Sequence, residues 1–144
     1  MRKLVIAISM LAFAGTAAYA DPIKDRQDLM KERGKLAGQI SKMVKGETPF
    51  DGAAALDALK AMQANAEKFD VDTLFPAGSD KGDTTAAPKI WEDMAGFKAA
   101  FTKMSTEAKA AQSSVKDLDS FKGAFGGLTK NCGGCHETYR VKKS

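Results

Sequence analysis

Cys132-Gly133-Gly134-Cys135-His136, close to the C-terminus, holds both cysteines and the only histidine of the 144-residue chain. A Cys-x-x-Cys-His run is the attachment pattern of a c-type haem. The spacing follows from the chemistry. Two thiols add to the two vinyl groups of one porphyrin, and the adjoining imidazole then lies under the iron. A helix suits this task, because residues three and four apart share a face, so Cys132, Cys135 and His136 can address one ring edge and one metal.

Other uses of the two cysteines explain less. A structural zinc takes four Cys or His ligands, and the chain has three such residues in total. A thioredoxin-like pair requires a strand-to-helix context and an electropositive thiolate site, and the sequence offers neither. A structural disulfide gives the adjacent histidine no role and predicts a colourless protein.

Residues 1–20 read as a secretory signal peptide. Arg2 and Lys3 form its charged start, Leu4 to Ala14 its apolar core, and Ala18-Tyr19-Ala20 a small-x-small cleavage site ahead of Asp21. The apolar run falls short of the roughly 20 residues that span a bilayer, so cleavage and export to the periplasm are expected, with no membrane association afterwards. Cleavage leaves 144 − 20 = 124 residues, one domain of ordinary size. The signal removes two of the 22 Lys and Arg and none of the 18 acids, leaving 20 against 18. Two haem propionates would bring that balance close to neutral, so the basic sequence pI does not support nucleic-acid binding.

The mature chain reads as four amphipathic helices. Asp21-Pro22 caps the first, which is expected to run to about Lys45, ahead of Gly46 and Thr48-Pro49. Ile23, Met30, Ala37 and Val44, flanked by Leu29, Leu36, Ile40 and Met43, form its inward stripe. Asp51 caps the second, with Phe50 placed to staple onto its first turn and Leu56, Leu59, Met62, Ala66 and Phe69 facing inward. Residues 76–87 are rich in Gly, Pro, Ser, Thr and Asp and read as a surface connection, either a plain linker or a segment that crosses one end of the bundle and touches a cofactor. Pro88 opens the third helix, whose Ile90, Met94, Phe97, Phe101, Met104, Ala108 and Ala111 follow the 3.6-residue period. Asp117 or Asp119 starts the fourth, expected to continue to about Lys143. There Phe121, Phe125, Leu128, Cys132, Cys135 and Tyr139 put both cysteines on the inward stripe, so a haem bonded to them would be clamped inside the bundle. Gly133 and Gly134 weaken this helix, and their small size would let a porphyrin edge approach the backbone. The fold class expected is all-α: an antiparallel up-down-up-down four-helix bundle with a covalently bound c-type haem.

Beyond the architecture, the residues themselves resemble the cytochrome c' family. The haem motif on the last helix is followed by Glu137-Thr138-Tyr139-Arg140; Arg26-Gln27 lie on the first helix; Lys45-Gly46-Glu47 and Pro49-Phe50-Asp51 close it; Pro88-Lys89-Ile90-Trp91 open the third. The resemblance covers essentially all of residues 21–143. It implies that Arg26 and Gln27 hydrogen-bond the haem propionates, against the plainer reading of a solvated helix face. Arg140 either packs near the proximal side of the haem or merely complements the negative end of the last helix.

With His136 on one face of the iron, the other axial position decides the function. Met30 and His136 each lie about eight residues from the same end of the bundle, a height of roughly 12 Å. Met62 and Met94 fall near the same level, whereas Met43 and Met104 do not. The resemblance singles out Met30, four residues after Arg26, at the position facing the open side of the haem; in the cytochrome c-556 branch a methionine there is the sixth ligand. The expected function is a periplasmic electron carrier with a low-spin haem on His136 and Met30 and redox proteins as partners. The alternative is a five-coordinate cytochrome c' that binds NO or CO, with Met30 as a non-ligating wall. Both a monomer and a homodimer accord with the resemblance. An enzyme such as a peroxidase is disfavoured, because His136 leaves no second histidine for acid-base work and no catalytic residue is assigned. N-terminal sequencing of the exported protein is expected to begin at Asp21; an intact residue 1 in the mature chain would refute cleavage there.

Overall fold

The structure, a computed structural model, describes residues 21–142. The expected signal segment and Lys143 lie outside the described residues. Four long helices make the bundle: α1 (Pro22–Val44), α2 (Gly52–Glu67), α5 (Met94–Ser114) and α6 (Leu118–Tyr139). Two single-turn helices, α3 (Val71–Leu74) and α4 (Lys89–Glu92), lie in the connection between α2 and α5. Each long helix runs antiparallel to the next. No strand is present among the described residues, only an isolated antiparallel bridge between Ala86 and Arg140.

The helix boundaries come from local chemistry. Asp21 accepts from the backbone N–H groups of Ile23 and Lys24, with Pro22 at the first helical position. Gly46, at φ +75°, ends α1 in the left-handed conformation that costs glycine least. Asp51 caps α2, and Asp117 with Ser120 forms a reciprocal capping box at the start of α6. Phe50, expected as a local staple, packs its ring 5.7 Å from that of Phe121, tying the turn to the last helix.

Two expectations about continuous helices give way. The third helix breaks at Asp93, whose carboxylate accepts from the Gly96 N–H at 3.1 Å and from the Tyr139 hydroxyl at 2.8 Å. These bonds hold Asp93 in a non-helical cap conformation, φ −135° and ψ 58°, so α4 and α5 are separate. The fourth helix ends at Tyr139 instead of running on, because the backbone beyond it pairs with the connection: Ala87 donates to the Tyr139 carbonyl and Val141 to that of Thr85.

The interior is divided in two. Ile40, Ala55, Leu59, Met62, Met104, Ala108, Phe121 and Leu128 form one buried cluster, and the alanines let α2 and α5 approach closely. Phe69, Val71, Leu74, Phe75, Ile90, Phe97 and Phe101 form a second. Cys132 packs against the first and Cys135 against the second. α1 and α6 meet only sparsely, and between them lies a cavity. Phe121, fully buried in the first cluster, is a sensitive probe of the bundle. Phe121→Ala is expected to cost about 3–5 kcal/mol in urea unfolding of the protein; a loss below about 1 kcal/mol would show that this end collapses around the void.

Candidate functional site

The cavity has a volume of about 510 Å³, within the range of cofactor sites. Its walls are largely apolar, supplied by Phe69, Phe75, Ile90 and Phe97, and the few polar groups converge from three directions. From α6 come Cys132, Cys135 and His136; from α1 come Arg26, Gln27, Met30 and Arg33; from the connection come Thr84 and Thr85. The six residues singled out from the sequence thus line one space.

Both cysteines are free and half-buried, with no disulfide between them. Burial pushes both thiols above their ordinary range, and the cationic Arg33 opposes that rise. His136 is at the rim. Desolvation first, then the cations of Arg140 and Arg33, hold its pKa below the usual 6.5, which keeps the imidazole neutral with a lone pair to offer. Gly133 and Gly134 are exposed and are not among the residues that line the cavity.

Arg26 is not on a solvated face. It is 4% exposed, and its two terminal nitrogens make four hydrogen bonds: Nη1 to the Leu74 carbonyl (3.0 Å) and Ser79 Oγ (2.9 Å), Nη2 to the Ser79 carbonyl (2.6 Å) and Thr84 Oγ1 (2.9 Å). Its guanidinium also sits 4.6 Å from the centre of the Phe75 ring. Gln27 Nε2 donates to the Asp83 carbonyl at 2.6 Å. The 76–87 segment is therefore no plain linker. It is fastened to α1 by these two residues, and to the end of α6 by backbone pairing and by Arg140 Nε donating to Thr85 Oγ1 at 3.3 Å. Arg140 has left the helix and lines the cavity, which favours packing beside the site over complementing a helix end. Tyr139 closes the same corner. A Cβ on Gly96 would run into Asp93 Oδ2 and lie 2.7 Å from the Tyr139 hydroxyl, so a larger residue there would have to displace this hydrogen-bonded pair.

Met30 lines the large cavity, the sole methionine among the described residues to do so. Met62 is 1% exposed inside the first core cluster, and Met94 packs against the second, so the height they share with Met30 does not bring them to the site. Met104 borders a small side cleft with Met30.

Sequence reading missed Arg33 and Asn65. Arg33 is 9% exposed on the inner face of α1, and Asn65 is fully buried on α2. Arg33 Nε donates to Asn65 Oδ1 at 2.8 Å, and Arg33 Nη2 is buried with no partner. A signal existed: Arg33 stands seven residues after Arg26 and three after Met30, on a stripe where a charge requires a reason. Apolar walls, two free thiols, a neutral imidazole and a guanidinium with an unmet donor together fit a porphyrin with attachment points on α6.

Comparison with known proteins agrees. The family model for cytochrome c' matches residues 21–140. The chain is similar to a cytochrome c' of Rhodopseudomonas palustris, 39% identical with all of both chains covered. It is also similar to a cytochrome c-556 of Agrobacterium fabrum, 38% identical over 90% of this chain and 88% of that one. The solved structure of cytochrome c' from Rhodopseudomonas palustris superposes with a TM-score of 0.81 at 42% identity, covering 87% of this chain and 99% of the other.

Removing the Arg26 side chain leaves the Leu74 and Ser79 carbonyls without their donor. Arg26→Ala is expected to destabilise the protein by about 2–3 kcal/mol and to speed hydrogen exchange across 76–87 selectively; unchanged exchange there would refute its role as a fastener.

Proposed function

The chain belongs to the cytochrome c' family, and on that premise we propose that it is an exported electron carrier whose haem iron takes His136 on one side and Met30 on the other. Haem c is the cofactor, and Cys132 and Cys135 are the only thiols available for its two links. When bound, it supplies the one-electron couple of its iron. The observation that carries the reading is that Met30 on α1 and His136 on α6 border one cavity that no other methionine of the described residues enters.

The residues divide the work. Cys132 and Cys135 fix the ring to α6. His136, whose burial beside Arg140 and Arg33 favours the neutral imidazole, is suited to ligate. Met30 offers a thioether from a helix whose position is tied down through Arg26, so both ligands stay in place as charge changes and little reorganisation accompanies transfer. Gln27 remains a candidate for a propionate. Arg26 already commits all four Nη protons to the connection, which leaves only Nε–H for a carboxylate. The apolar walls exclude water from the ring, and the rim at His136 gives redox partner proteins their nearest approach. Export through a signal at residues 1–20 places the carrier in the periplasm, and the family match that starts at residue 21 supports that boundary. No helix among the described residues is long and apolar enough to cross a membrane.

A second reading is a five-coordinate haem protein that binds NO or CO, with Met30 as a wall beside an open iron. The relative named cytochrome c', similar over its whole length, favours it. A spectrum separates the two. The reduced protein is expected to show sharp low-spin bands with no rapid shift under carbon monoxide, and Met30→Ala to show a broad high-spin band that shifts at once. A parent protein that already behaves like the variant would refute ligation by Met30 and leave the second reading.

A further inference from the structure

Arg33 is a buried cation that neither helix packing nor thioether attachment accounts for. It has no ion-pair partner among the described residues: a neutral amide, Asn65, takes its Nε, and the rings of Phe69 and Phe101 lie 4.8 and 5.4 Å from its guanidinium carbon. Its Nη2 is buried and unpaired. Glu32 makes no direct ion pair with it and acts only as a minor, more distant charge: its carboxylate is bonded by Lys68 and by Asn65 Nδ2, which bonds both the Leu29 carbonyl and Glu32 Oε2 at 3.0 Å. With Met30, Cys132, Cys135 and His136, the same guanidinium borders a cleft of about 30 Å³, which places it at the attachment edge of the site. A charge buried without a counter-ion is costly, and a methionine or leucine would fill this apolar corner without that cost.

We propose that Arg33 sets the reduction potential of the haem, as a permanent positive charge beside the thioether edge that disfavours the oxidised state. The inference rests on attachment at Cys132 and Cys135. Oxidation of the iron adds one positive charge to the ring, and a fixed cation in an apolar, weakly screened interior repels it. Arginine suits the role because it stays protonated at every working pH, so the effect does not titrate away. The ring's own carboxylates are on the edge away from its vinyl-derived links and are poorly placed to neutralise Arg33. Asn65 holds the cation in position while supplying no charge, which is what distinguishes a tuning group from a salt bridge.

The test is a spectroscopic redox titration of the holoprotein and of Arg33→Gln and Arg33→Lys, each checked for covalent haem by mass spectrometry. Loss of the charge in Arg33→Gln is expected to lower the reduced-to-oxidised equilibrium constant about tenfold, ~59 mV for one electron, while Arg33→Lys stays within about twofold of the parent. An unchanged potential in a haem-loaded Arg33→Gln protein overturns the proposal, and so does an equal fall in both variants, which would assign the effect to packing. Should Arg33→Gln carry no haem, Arg33→Met is read in its place; failure of both to load haem makes Arg33 a residue for haem uptake and overturns the electrostatic role. A parent protein without haem would instead refute the attachment itself.

Discussion

Two thiols at fixed spacing must reach one porphyrin from one helix, and most of the bundle's construction accommodates that demand. Because Cys132, Cys135 and His136 point to the same side of α6, the space beside α6 cannot be closed by ordinary side chains. The interior accordingly splits into an alanine- and leucine-lined cluster and an aromatic one, with one cysteine against each. α1 and α6, the pair that would have to meet to seal the bundle, touch only sparsely. Packing to the usual density is deferred to a group that the chain must acquire.

A cavity of this size would weaken the end of the bundle that contains it, and the connection between α2 and α5 offsets the weakness. Arg26 gathers two carbonyls and two hydroxyls from that segment, Gln27 takes a third carbonyl, and the backbone beyond Tyr139 pairs with residues 85 and 87. Charge-assisted bonds of this kind, made inside the protein, are stronger than their surface equivalents. The surface ion pairs, by contrast, join exposed lysines to exposed acids and contribute little. The segment thus behaves as part of the wall of the site, and the same arginine that positions it also positions Met30 one helical turn away.

The two buried arginines of α1 have opposite characters. Arg26 has both terminal nitrogens satisfied by neutral acceptors and fastens structure. Arg33 is held by one amide and two aromatic faces and keeps a donor unmet. Seven residues apart on one helix face, they sit in quite different surroundings. Only the surroundings tell them apart.

The attachment motif, the four long helices, their caps and most of their inward residues were readable from the sequence, because each depends on short-range chemistry or on a period of 3.6 residues that a line of text preserves. Met30 was singled out only through resemblance, since its height was shared by other methionines; the structure adds that it lines the cavity. Tertiary structure decided the rest. The break at Asp93 and the early end of α6 depend on partners 46 residues away and on the connection, respectively. The burial of Arg26 and Arg33, the absence of Met62 and Met94 from the cavity and the pairing of Phe50 with Phe121 depend on which helices face each other and at what distance. Sequence alone determined that a haem-sized demand sits on the last helix, since three residues in one order, two cysteines and a histidine, carry it. Which side chains meet that demand is a property of packing, because contacts between helices are set by three-dimensional neighbours that spacing along the chain does not record.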